Sequence, residues 1–135
     1  MARIISSEGP GKQRIILTRA IVAGIRKLVL KNQYDDESRD IVSFIILSLE
    51  MINDSVEKSV AAWEKRNYWI KADKFRQDWS WAAKESEKLR IAYLENNLGN
   101  ISAVVANIGK NLGNVKIPER NRIGTPWKGF QDRFK

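Results

Sequence analysis

Between Ile41 and Trp63, the residues Ile41, Ile45, Leu49, Ile52, Val56, Val60 and Trp63 follow one another at steps of three and four. That heptad-like spacing places them on one face of a helix over roughly six turns. A helix with such a stripe has to lay it against other helices.

Three further stretches offer matching stripes. A first helix is expected from near Pro10, which suits a first-turn position, to Leu30, with Leu17, Ile21, Gly24, Ile25 and Leu28 on one face. The turn "YDDESRD" then starts the long helix: Asp35 or Asp36 can cap it, and Glu37 and Asp40 suit its first turn. A third helix, roughly Tyr68 to Asn96, carries Ala72, Phe75, Trp79, Ala82, Ser86, Leu89 and Tyr93. The break before it, "RNYWIKAD", shows no strong stop signal. A shorter fourth, about Asn100 to Leu112, carries Ile101, Val104, Val105, Ile108 and Leu112. Short connections between four amphipathic helices predict an all-α, antiparallel up-down four-helix bundle over residues 1–113. Residues 114–135 form a basic, Pro-containing, non-helical strap. A three-helix arrangement with other helix lengths is the alternative.

The inventory narrows the chemistry. With 135 residues and no Cys or His, the chain lacks thiolate nucleophiles, the commonest general base and the commonest transition-metal ligand. Ser-His-Asp, Cys-His and His-ligated metal sites are excluded. We expect no enzyme, no cofactor and no metal. The most apolar run, "IVSFIILSLEMI", is too short to span a bilayer, and the start lacks a signal-peptide core, so a cytoplasmic protein is expected.

Charge is unevenly spread. The net charge of +8 divides into +6 over residues 1–34, −2 over 35–113 and +4 over 114–135. Positive ends favour polyanions, nucleic acid first. The candidate phosphate-neutralising residues are Arg14, Arg19, Arg26 and Lys27 on the first helix, Lys110 on the fourth, and Arg120, Arg122 and Lys128 in the strap. Phosphate contacts without base readout imply low sequence specificity.

Three other constellations bear on function. Phe44, Leu47 and Met51 lie off the long helix's seam, which makes it apolar on more than one side. Neighbouring helices could cover them, or another subunit could; they are the candidate oligomer contacts. Trp81 points away from the third helix's seam among Lys74, Gln77, Lys84 and Lys88, suited either to base stacking or to packing under lysine stems. Glu50, Asp54, Glu57 and Glu64 share an outer face and read as a solvated surface. In the strap, Pro118 and Pro126 forbid a continuous helix, while Ile117, Ile123, Trp127 and Phe130 are too apolar for a disordered tail.

The fourth helix's "VVANIGKNLG", Val104 to Gly113, resembles the last-helix signature of accessory variability determinant proteins of diversity-generating retroelements. These are a branch of small bacterial four-helix bundles akin to those encoded in intervening sequences of 23S rRNA genes. The residues that carry it are Ile108, Gly109, Lys110, Leu112 and Gly113, with "KADKFRQDWSWA" of the third helix also similar. Asn114 departs from the Gly-Trp continuation usual in that branch. The resemblance implies a non-enzymatic homopentamer with a basic surface that binds the retroelement's reverse transcriptase and its template RNA. The leading expectation is therefore an oligomeric adaptor for RNA or DNA that assists a reverse transcriptase. The alternative is a helical module for an acidic protein partner with no nucleic-acid role; a third is a membrane-surface protein.

Overall fold

The computed structural model describes residues 9–117 and 123–134. It is a four-helix, all-α fold: α1 Pro10–Leu30, α2 Asp36–Lys65, α3 Trp69–Leu94 and α4 Leu98–Asn111, followed by a 3-10 helix, Phe130–Phe134. No strand occurs among the described residues.

Local chemistry sets the boundaries. Pro10 opens α1, where its missing N–H costs nothing. Asp35 caps α2: its side chain accepts from the Ser38 N–H at 3.0 Å, and its own N–H donates to Ser38 Oγ at 3.3 Å. Two asparagines supply the stops. Asn67 and Asn96 adopt left-handed φ of 64° and 53°. At the first stop, Tyr68 N–H reaches Trp63 O at 2.9 Å and Asn67 N–H reaches Glu64 O at 3.0 Å. At the second, Asn97 N–H reaches Ala92 O at 2.9 Å and Asn96 N–H reaches Tyr93 O at 3.1 Å. Both are Schellman endings with Asn in the place glycine usually takes. Asn97 then turns its side chain to cap α4, accepting from Asn100 N–H at 3.1 Å.

α2 is the central helix, packed between α1 and α3; α4 packs on α3 and closes more thinly on α1. The long seam is fully buried from Ile41 to Val60, with Trp63 half-buried at its end. α4 is short. Its Asn107 donates to Glu85 at 3.1 Å, midway along α3, so the first half of α3 runs on beyond α4's end. There a row of half-buried aromatics lines the bundle. Trp63 meets Phe75 edge-on at 4.9 Å, Phe75 lies 6.4 Å from Trp79, and Trp79 stacks on Trp81 at 5.9 Å.

The strap accounts for α2's second apolar side. Trp127 and Phe130 are buried, and both meet Phe44 edge-on, at 6.3 and 5.0 Å. Trp127 also borders Gly24 of α1, while Phe134 reaches Tyr93 of α3 at 5.1 Å. The segment thus crosses from α1 over α2 to α3. Asp40 pins it, accepting from the N–H of Gly129 at 2.9 Å and of Gln131 at 3.1 Å. Two expectations change. Phe44, expected at a subunit contact, has no exposed surface, because the chain's own strap covers it. The strap is not wholly non-helical, since Phe130–Phe134 winds into a 3-10 helix that seats Phe130. Leu47 and Met51, on the same side of α2, are half-buried against the core.

Candidate nucleic-acid interface

The acids are sorted by helix. α1 contains Lys12, Arg14, Arg19, Arg26 and Lys27 and no carboxylate; α4 contains Lys110 and no carboxylate. The carboxylates of α2 and α3 are largely occupied. Glu50 Oε2 accepts from Arg90 at 2.8 Å, and Arg76 lies 3.4 Å from Glu57 and 3.9 Å from Glu64. These pairs tie α2 to α3 rather than converging in a cleft, in keeping with a surface role for Glu50, Glu57 and Glu64. Lys31 holds Asp35 at 2.9 Å and Glu37 at 3.0 Å. The Lys31 ammonium, with help from the Ser38 N–H, holds the Asp35 carboxyl down to about 2.

Arg19 and Arg26 are exposed one heptad apart on α1, on a common stripe, and no carboxylate among the described residues pairs with either. Lys27 is exposed but turns toward the start of α2, where its charge acts on Glu37. Gly109 of α4 lies against Ile25 of α1, which sets Lys110 and Arg26, the next residue in each helix, at the same level of the α1–α4 seam. Lys110 is exposed and without an acidic partner among the described residues. Three expected cations, Arg19, Arg26 and Lys110, thus share the side of the bundle that α1 and α4 form.

The other expected cations divide differently. Arg14 is not a surface contact. Its Nη1 donates to Ser55 O at 3.0 Å, Ser55 Oγ at 3.3 Å and Ser59 Oγ at 3.1 Å, and its guanidinium covers the Phe75 ring at 4.7 Å. It fastens α1 to α2 and α3, and the hydroxyls that hold it could not be foreseen from α1's own pattern. Lys128 is exposed, but it borders Glu37 and Asp40 at the strap's anchor, a poor place to receive a phosphate. Arg120 and Arg122 lie outside the described residues. Trp81 is half-buried and stacked on Trp79, so packing accounts for it.

One exposed cluster was not anticipated. At the α2–α3 turn Tyr68 is 54% exposed, Trp69 55% and Ile70 88%. Lys65, Arg66 and Lys71 flank them. The signal was present in "KRNYWIK": three consecutive large apolar residues cannot all face one side of a helix.

A cleft of about 350 Å³ opens between the end of α1 and the start of α4, lined by Ile25, Leu28, Tyr34, Leu98, Ile101 and Val105. Burial pushes the Tyr34 hydroxyl up to about 12, so it stays protonated at neutral pH. No group of three or more acidic side chains suited to a metal occurs among the described residues. No helix among them is long and apolar enough to cross a membrane. Comparison with models of protein families, with curated proteins and with solved structures finds no match for this chain.

Proposed function

We propose that this chain is a non-catalytic, oligomeric adaptor that binds RNA or DNA through the acid-free side formed by α1 and α4, and that it serves a reverse transcriptase. The observation that carries the reading is the sorting of charge. Glu37, Glu50, Glu57 and Glu64 of α2 are paired with Lys31, Arg90 and Arg76, while Arg19, Arg26 and Lys110 face solvent with no carboxylate on their own helices. Cations arranged this way attract a phosphate backbone and release its counterions, without reading bases. The polymerase as partner, and a pentamer as assembly, are supported by the resemblance of Ile108, Gly109, Lys110, Leu112 and Gly113 to the accessory variability determinant signature. Leu47 and Met51 remain the subunit contacts of this proposal.

The test is fluorescence anisotropy with labelled RNA, titrated with salt, on protein freed of nucleic acid. Engagement of Arg19, Arg26 and Lys110 contributes about −2 to the log–log slope on single strands, from roughly 0.7 per phosphate. The double variant Arg19→Ala/Arg26→Ala lowers that slope by about 1.4. Absence of binding at low salt overturns the reading and leaves an acidic protein as the partner of this face.

A further inference from the structure

We infer that the α2–α3 turn is a stacking site for an unpaired base, which makes the preferred ligand single-stranded rather than duplex nucleic acid. The inference rests on the nucleic-acid reading above and assigns it a second contact surface.

The turn is rigid and shows its aromatics to solvent. Its Schellman hydrogen bonds at 2.9 and 3.0 Å, with Asn67 in the left-handed region, fix the backbone. Tyr68 and Trp69 nonetheless leave more than half their surface in water, and Ile70 leaves 88%. Three large apolar side chains left this exposed at a hydrogen-bonded turn mark a contact surface rather than a packing accident. Its setting selects the occupant. From Lys65 to Lys71 there are three cations and no carboxylate. Lys65 and Arg66 have no acidic partner among the described residues. Lys71 is held beside the turn by its ammonium over the Trp63 ring at 4.7 Å.

Aromatic faces between positive charges are what a single strand requires: the rings stack bases while the cations hold the flanking phosphates. A duplex keeps its bases stacked on one another and can use only the cations. Arg14 bonds Ser55 and Ser59 near the end of α2, so α1 begins beside the turn, and a strand lying along Arg26 and Arg19 runs toward it.

The experiment compares a fluorescein-labelled single-stranded oligonucleotide of about twelve nucleotides, within the ~4–16 that such grooves span, with a duplex of the same sequence. The full-length protein binds the single strand more tightly. Trp69→Ala weakens single-strand binding by about tenfold, within the roughly 5- to 150-fold that one base stack supplies, and leaves the salt slope unchanged. Trp69→Phe restores part of the loss. Lys65→Ala/Arg66→Ala lowers the slope by about 1.4 instead. Equal affinity for both oligonucleotides, with Trp69→Ala binding like wild type, overturns the stacking site while the adaptor reading stands. Binding to neither overturns both. Capture by vesicles rich in anionic lipid, without oligonucleotide binding, overturns both and makes the turn a membrane contact.

Discussion

Replacing Trp127 with alanine tests whether the strap is an integral part of the fold. The side chain is 4% exposed. A tryptophan buries about 150–250 Å². At roughly 25 cal/mol per Å² that is ~4–6 kcal/mol, a ceiling because an unfolded chain already hides some of that surface. Large-to-small core substitutions of aromatics cost ~3–5 kcal/mol by measurement, in agreement. The Nε1–Glu37 contact adds little, since at 3.5 Å it is at the limit of a hydrogen bond. Phe130 and Asp40 anchor the strap independently of Trp127, so the rest of it stays docked and the loss is that of one side chain.

The expected result for Trp127→Ala is therefore ~3–4 kcal/mol, read by urea denaturation followed by circular dichroism at 222 nm. Removing residues 123–135 costs more and also lowers the denaturant slope, since Phe44 is then exposed in the folded state too. Because the strap docks on its own chain, the loss relative to wild type is the same at about 1 and about 50 μM protein, whereas a strap exchanged between subunits gives a loss that changes with concentration. A loss under about 1 kcal/mol for Trp127→Ala would refute the buried docking, since a side chain free in solvent is worth no more than that.

Asp40→Ala removes the acceptor of two strap N–H groups and costs about 1–2 kcal/mol, with Asp40→Asn costing less because one acceptor oxygen remains; thermal melts check both. Arg14→Ala destabilises by about 2 kcal/mol through its lost hydrogen bonds and ring contact, yet leaves the salt slope of RNA binding unchanged, unlike the Arg19 and Arg26 substitutions. Asp35 titrates at about 2 in the folded chain against an ordinary 3.8, so its contribution to stability is complete above about pH 4 and fades as pH falls toward 2. Asp35→Asn flattens that part of the acid-unfolding profile while retaining a cap acceptor for Ser38.

The helices were legible because burial imposes a period. The seams on α1, α2 and α4 needed only three- and four-residue spacing, and Pro10 and Leu30 bound α1 as the sequence suggested. What periodicity leaves open is which surface meets which. Phe44 stood out as surplus to the α2 seam, but its cover lies at Trp127 and Phe130, far along the chain and joined by no repeat. The strap's apolar content told that it docks, and its target followed only from Asp40 facing the Gly129 and Gln131 amides. Asn67 escaped notice as a stop because asparagine serves many roles besides the left-handed one. Arg14 was misread for a related reason: a helical wheel places it at a border, and only the Ser55 and Ser59 hydroxyls turn that border into an interior clamp.

The acidic residues of α2 explain more of this molecule than its basic ones. Asp36, Glu37 and Asp40, gathered in the first turns, favour the helix start, and the Asp40 carboxylate also receives the strap by accepting from the Gly129 and Gln131 amides. Further along, Glu50, Glu57 and Glu64 take up Arg90 and Arg76 from α3. Exposed ion pairs of this kind add little stability each. Their larger effect is on the distribution of charge, because they cancel Arg76 and Arg90 of α3 and leave Arg19, Arg26, Lys110 and the cations of the α2–α3 turn uncancelled. A charge reversal at Glu57 or Glu64 would thus extend positive potential onto the α2–α3 side at small cost to the fold, and would blur the boundary that now directs a polyanion to one side of the bundle.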